Sequence, residues 1–143
     1  MLRTYVRLRG AAARTARRPP VCHDLHVGLT VLIVDDHPSF RASARAMLES
    51  EGFDVVGEAA DGAAALEAVR ALEPDLVLLD VQLPDMSGFD VCATLEAYDG
   101  APEVILVSSR DVADFGDLVD TSCACGFVPK GELSGELVAA LLA

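Results

Sequence analysis

After residue 30 the chain is punctuated by short apolar runs that each stop at a polar group. Val31 to Val34 ends in Asp35-Asp36, Leu76 to Leu79 in Asp80, Val104 to Val107 in Ser108-Ser109, and the shorter Phe127-Val128 leads through Pro129 to Lys130. Runs of four apolar residues without alternation read as strands buried on both faces, as in a parallel sheet. Phe53-Asp54-Val55-Val56 supplies one more strand. Between these runs the apolar spacing becomes helical. Phe40, Ala44, Met47 and Leu48 follow Pro38, which suits the first turn of a helix, and Gly52 ends that helix. Asp61 is placed to cap a second helix through Ala65, Leu66, Val69 and Leu72, and Ser87 a third through Val91, Cys92 and Leu95. A fourth is expected from about Asp111 to Ser122, although Gly116 in its middle costs about 1 kcal/mol relative to Ala. Leu133, Leu137 and Leu141 mark the last. Five strands alternating with five helices predict an α/β fold with right-handed crossovers and a parallel sheet covered on both faces.

Length and composition narrow the picture. A chain of 143 residues holds one domain with a substantial core, and an apolar fraction of 52% without Trp points to a core of Val, Leu and Ala. No apolar run approaches the ~18 residues of a membrane span, so no membrane association is expected. Six of the eleven basic residues (Arg3, Arg7, Arg9, Arg14, Arg17, Arg18) lie in the first eighteen positions, where there is no acid. The other five face all 23 acids, a balance of −18 that disfavours direct binding of nucleic acid. Residues 1–28, with their Arg run, Ala11-Ala12-Ala13 and Pro19-Pro20, show no periodic apolar face. They read as a disordered basic extension, against two alternatives: a transit peptide, or an upstream stretch from an overlong start assignment. Residues 29–143 form the domain. Cys22, Cys92, Cys123 and Cys125 lack zinc-ligand spacing and are expected to be reduced thiols of a cytoplasmic protein.

The strand ends place Asp35, Asp36, Asp80 and Ser108 on one rim, with Lys130 just beyond the last strand. In open parallel sheets that rim is where ligands bind. Three carboxylates there repel one another unless a divalent cation lies between them, and an all-oxygen donor set suits Mg²⁺, with Mn²⁺ able to substitute. A hydroxyl and an ammonium beside the ion would hold an anion with several oxygens, so phosphoryl transfer to a carboxylate fits, with Asp80 as acceptor. His37 adjoins the acids, but Pro38 after it favours a plain helix-start position.

Four stretches together are specific. Val31-Leu32-Ile33-Val34-Asp35-Asp36-His37-Pro38, the segment from Leu76 to Gly88 containing Leu79-Asp80-Val81-Gln82-Leu83-Pro84-Asp85-Met86, Val107-Ser108-Ser109-Arg110, and Gly126-Phe127-Val128-Pro129-Lys130 occur in this order. In order and spacing they resemble the receiver domain of two-component response regulators over nearly all of residues 30–143. The resemblance implies a flavodoxin-like, doubly wound sheet of five parallel strands with five helices. It also implies a role for each position. Asp80 would be the phosphoacceptor, Asp36 a direct and Asp35 a largely water-mediated ligand of Mg²⁺, and the Gln82 carbonyl a further ligand. Ser108 would hydrogen-bond the phosphoryl group, Lys130 would pair with it, and Phe127 would be the aromatic switch that turns inward on phosphorylation. The chain departs from the family pattern at Gly131, where Pro commonly follows the lysine, and in carrying Phe rather than Tyr at the switch.

The implied function is that of a stand-alone response regulator. It would take a phosphoryl group from a histidine kinase or phosphotransfer protein and signal to a protein effector through a changed binding surface. It would act on no separate substrate. Two alternatives are a degenerate receiver that signals by binding alone, against which the intact acids and Lys130 argue, and an aspartyl-phosphate phosphohydrolase. The latter typically has a second Asp two residues after the nucleophile, where this chain has Gln82.

Overall fold

The computed structural model describes Val6, Arg7 and residues 27–142. Five parallel strands form the body of the sheet: β2 (Thr30–Val34), β3 (Asp54–Ala59), β4 (Leu76–Asp80), β5 (Glu103–Ser108) and β6 (Gly126–Pro129). A two-residue strand, β1 (Val6–Arg7), pairs antiparallel with β6, Val6 opposite Phe127 and Arg7 opposite Gly126. The order is β1-β6-β5-β4-β2-β3, so β4, whose five residues are all buried, sits inside the sheet. A shift of register between Val31 and Leu32 opens a bulge against β3. The expectation that residues 1–28 take no part in the fold does not hold for Val6 and Arg7, whose backbones meet the β6 edge. It does not hold for Gly28 either, whose N–H donates to the Gly52 carbonyl at 2.9 Å. Residues 1–5 and 8–26 lie outside the described residues.

Helices α1 (Pro38–Ser50), α2 (Gly62–Leu72), α3 (Gly88–Glu96) and α4 (Gly135–Leu142) connect or follow the strands. Their starts follow the expected chemistry: the Asp61 carboxylate accepts from the Ala64 N–H, and the Ser87 hydroxyl from the Asp90 N–H. On one face Ala44 and Leu48 of α1 and Val138 and Leu141 of α4 pack on Val31, Ile33, Leu78 and Ile105. On the other, Ala65 and Val69 of α2 and Val91 and Leu95 of α3 pack on Leu32, Val34, Leu79 and Leu106. At about 25 cal/mol per Å² of apolar area removed from water, these two interfaces are the main favourable contribution to the fold.

Two local expectations are corrected. The fourth helix is not an α-helix. Val112–Leu118 forms 3-10 turns broken at Gly116, whose φ of 59° and ψ of −129° leave the helical region, and Asp111 and Asp114 form a capping box at its start. The cysteines are not all reduced thiols: Cys92 on α3 and Cys123 before β6 are joined in a disulfide, with Cα atoms 6.1 Å apart. Packing of α3 against the segment before β6 brings the two sulfurs together, and Cys125 takes no part in the bond.

Candidate metal and phosphoryl site

The rim at the carboxyl ends of β2, β4, β5 and β6 gathers most of the expected residues. Asp35 follows β2 and is fully buried; Asp80 ends β4 and is 3% exposed; Ser108 ends β5 and is 1% exposed. Lys130, first residue after β6, reaches back across the sheet end, with Nζ 2.6 Å from Asp35 Oδ2 and 3.4 Å from Asp80 Oδ2. The ring of Phe40 lies under the same ammonium, 4.8 Å from its centroid. Carboxylate oxygens of Asp35, Asp36 and Asp80 and a ring nitrogen of His37 all lie within 4.8 Å of one another.

The electrostatics of this cluster are unbalanced. At such separations two like charges repel by roughly 3–4 kcal/mol at an effective dielectric constant of about 20. Three carboxylates and one ammonium leave two negative charges. Burial, aided by the Asp35 charge, raises the Asp80 carboxyl above its usual range, against the lowering effects of the Gln82 N–H and of Lys130. Asp35 Oδ2, fully enclosed, accepts no well-aligned hydrogen bond despite its ion pair. An oxygen-rich cluster with two unmatched negative charges fits a hard divalent cation such as Mg²⁺.

The other expected residues are placed as follows. The Gln82 N–H donates to Asp80 Oδ1 at 3.1 Å, fixing the loop directly after the acid. Ser108 Oγ is turned along its own strand end and accepts from the Arg110 N–H at 3.0 Å. Phe127 is fully buried, its ring 5.8 Å from that of Phe115, which in turn lies 5.7 Å from Phe89. The inward position expected of Phe127 after phosphorylation is thus already the one it occupies. The Lys130–Gly131 bond is trans.

Among the residues that shape the site, His37 was read from the sequence as a plain helix-start position, and Arg41 and the role of Asp85 were not singled out. His37 does start α1, but its side chain makes no capping bond. Its Nδ1 lies instead 3.0 Å from Asp35 Oδ1 and 3.1 Å from Asp36 Oδ1. Arg41 donates from Nη1 to the Asp35 carbonyl at 2.6 Å and from Nε to Glu58 Oε1 at 2.9 Å, holding the peptide between the two acids. Asp85 accepts from the Gly62 and Ala63 N–H groups, tying the loop after β4 to the start of α2. Adjacency to the acid pair was the one signal for His37, and Arg41 falls outside the apolar spacing of the first helix.

Comparison with known proteins agrees with this geometry. The family model described as the response regulator receiver domain matches residues 31–142. The transcriptional regulatory protein NarL of Mycobacterium tuberculosis is 41% identical over 113 residues, 78% of this chain and 52% of its own length. The solved receiver domain of NarL from that organism superposes with a TM-score of 0.73 at 38% identity, covering 81% of this chain and 94% of that one. The DNA-binding response regulator MtrA of Mycolicibacterium smegmatis is 50% identical over 86 residues, 59% of this chain and 36% of its own length. A CheX-CheY complex with BeF3 and Mg²⁺ from Borrelia burgdorferi matches with a TM-score of 0.69 at 26% identity, over 85% of this chain and 92% of that one. The chain therefore spans about half or less of the length of the curated relatives it matches. With four motifs on one rim of the sheet's five parallel strands and a family match over almost the whole described body, the chain belongs to the response regulator receiver domain family.

Proposed function

We propose that this receiver domain accepts a phosphoryl group on Asp80 in a reaction that requires Mg²⁺ or Mn²⁺. The observation that carries the reading is the convergence of Lys130 on Asp35 and Asp80 beside Asp36, which leaves the acids two charges short of neutrality. When bound, the cation would offset the negative charge gathered by the acids and the incoming phosphoryl oxygens. Asp36 and Asp80 would ligate it, Asp35 largely through water, with the Gln82 carbonyl as a further ligand. Lys130 opposes the upward push of burial on the Asp80 carboxyl and is positioned to pair with a phosphoryl oxygen. The Ser108 hydroxyl, now accepting from the Arg110 N–H, would rotate to donate to a second oxygen.

In the transfer, an Asp80 carboxylate oxygen attacks phosphorus while the bond to the donor's imidazole nitrogen breaks, giving an acyl phosphate and a neutral imidazole after one proton is gained. Receiver domains interact with histidine kinases, and we take such a kinase or a phosphotransfer protein as the donor. The partner that reads the signal would bind the face formed by the 3-10 segment, β6 and α4. Among the described residues no helix is long and apolar enough to cross a membrane, and a cytoplasmic site of action is part of the proposal. Catalysis extends only to its own phosphorylation and dephosphorylation. The test is intact-mass measurement after incubation with acetyl phosphate. One added phosphate is expected with Mg²⁺ present, and none with chelator or in Asp80→Asn; equal labelling of Asp80→Asn overturns the assignment.

A further inference from the structure

We propose that His37 is a ligand of the divalent cation through Nδ1, and that it shifts the site's preference from Mg²⁺ toward first-row transition ions such as Mn²⁺ and Co²⁺. The inference rests on the reading of the acidic rim as a cation site and adds to it a nitrogen donor. Nδ1 is 3.0 Å from Asp35 Oδ1 and 3.1 Å from Asp36 Oδ1. Adjacent donors around a six-coordinate ion with bonds of about 2.1 Å stand about 3 Å apart, since two such bonds meet at a right angle. The imidazole is thus spaced from the Asp36 carboxylate, the direct ligand of the pair, as a neighbouring ligand would be, without rearrangement of α1.

Two further observations bear on it. The ring is engaged with the cluster itself: Nδ1 shares a hydrogen bond with Asp35 Oδ1, the side chain makes no capping bond, and the His37 backbone N–H, which donates to Asp35 Oδ1 at 2.8 Å, already anchors the loop. Independently, Oδ2 of the fully buried Asp35 carboxylate is met by the Lys130 ammonium at 2.6 Å but by no aligned hydrogen bond. The ring is also reachable. Its side chain is 64% exposed, and with Ser39, Phe40, Ser109 and Lys130 it lines an open cavity of about 540 Å³. As a neutral donor it would leave the balance between two unmatched negative charges and a divalent ion untouched. Imidazole is a good ligand for borderline transition ions and a poor one for Mg²⁺, which holds to oxygen donors and its own water.

The experiment uses the full chain, freed of metal by chelation. Three-pulse electron spin-echo spectra of the Mn²⁺-loaded protein read a directly bound ¹⁴N, and calorimetric titrations with Mg²⁺ and Co²⁺ compare the wild type with His37→Ala and Asp36→Asn. The wild-type Mn²⁺ spectrum should show the imidazole nitrogen, and His37→Ala should lose it. Co²⁺ affinity should fall about tenfold or more in His37→Ala while Mg²⁺ affinity changes by less than about twofold. A wild-type spectrum without bound nitrogen overturns the proposal whether or not the variant folds, as does an unchanged ratio of Co²⁺ to Mg²⁺ affinity in a folded His37→Ala. If Mg²⁺ binds and Asp36→Asn abolishes it, the cation site itself stands and only the His37 assignment has failed. If the wild type binds no ion, both fall.

Discussion

Burial and charge oppose each other at Asp80. The side chain is almost wholly enclosed, its carboxyl is raised above the usual value of 3.8 chiefly by desolvation, and the Asp35 charge pushes the same way. The folded state therefore holds the Asp80 proton more tightly than the unfolded chain does. Its contribution to stability is intact below the ordinary carboxyl range and is lost as pH rises through the higher folded-state value. Without metal, Asp80→Asn is accordingly expected to melt higher than the wild type at about pH 7, and the difference should shrink as pH falls toward about 4. Melting curves in chelator across that range check this; a difference that does not change with pH would mean that the substitution acts through packing. Such a cost at a residue supported by Lys130 and the Gln82 N–H is typical of functional sites, where carboxyl groups are held against their burial.

At the scale of elements, the loop from β4 into α3 sets the position of the acid. A Cβ on Gly88 would run into the Asp80 carbonyl oxygen and the Val81 backbone, and the Gly88 N–H already donates to the Val81 carbonyl at 2.6 Å. Gly88→Ala is therefore expected to lose about 2 kcal/mol or more in denaturant titration and to slow phosphorylation by displacing Asp80; an unperturbed variant would show that the loop has room. The strand ends were legible in the sequence because each apolar run stops where the chain leaves the sheet, which places Asp35, Asp80, Ser108 and Lys130 on one rim. The 3-10 segment was not. Val112, Phe115 and Val119 do turn inward as their spacing indicates, yet the Asp111–Asp114 capping box and the break at Gly116 override α-helical periodicity. Nor do Asp111, Asp114, Asp117 and Asp120 form a simple stripe, since the first two cap the segment's own backbone. We propose that the remaining acids of this segment contribute an acidic output face, tested by whether Asp117→Asn and Asp120→Asn weaken binding of an effector in a salt-sensitive way. The Cys92–Cys123 pair was hidden by a separation of 31 residues. Alkylation of the unfolded, non-reduced protein should leave both unmodified; labelling of either would contradict the bond.

For the molecule as a whole, the receiver body and the basic arm are unequal partners. Two residue pairs between β1 and β6 contribute about 1 kcal/mol each at most, and ordering a residue costs about 1–2 kcal/mol. Removal of residues 1–26 should therefore change stability by less than about 1 kcal/mol, as read by urea denaturation, and leave the phosphorylation rate unchanged. A larger loss would show that the arm's arginines also dock on the acidic body. The body is built so that five parallel strands end at one charged rim, and the central claim is that this rim phosphorylates Asp80. Borohydride trapping of the acetyl-phosphate-treated protein, followed by peptide mapping, measures this most directly, because reduction of an aspartyl phosphate leaves homoserine at the modified position. Homoserine is expected at Asp80, only with divalent metal; homoserine at another aspartate, or none at any metal concentration, would contradict phosphorylation of Asp80.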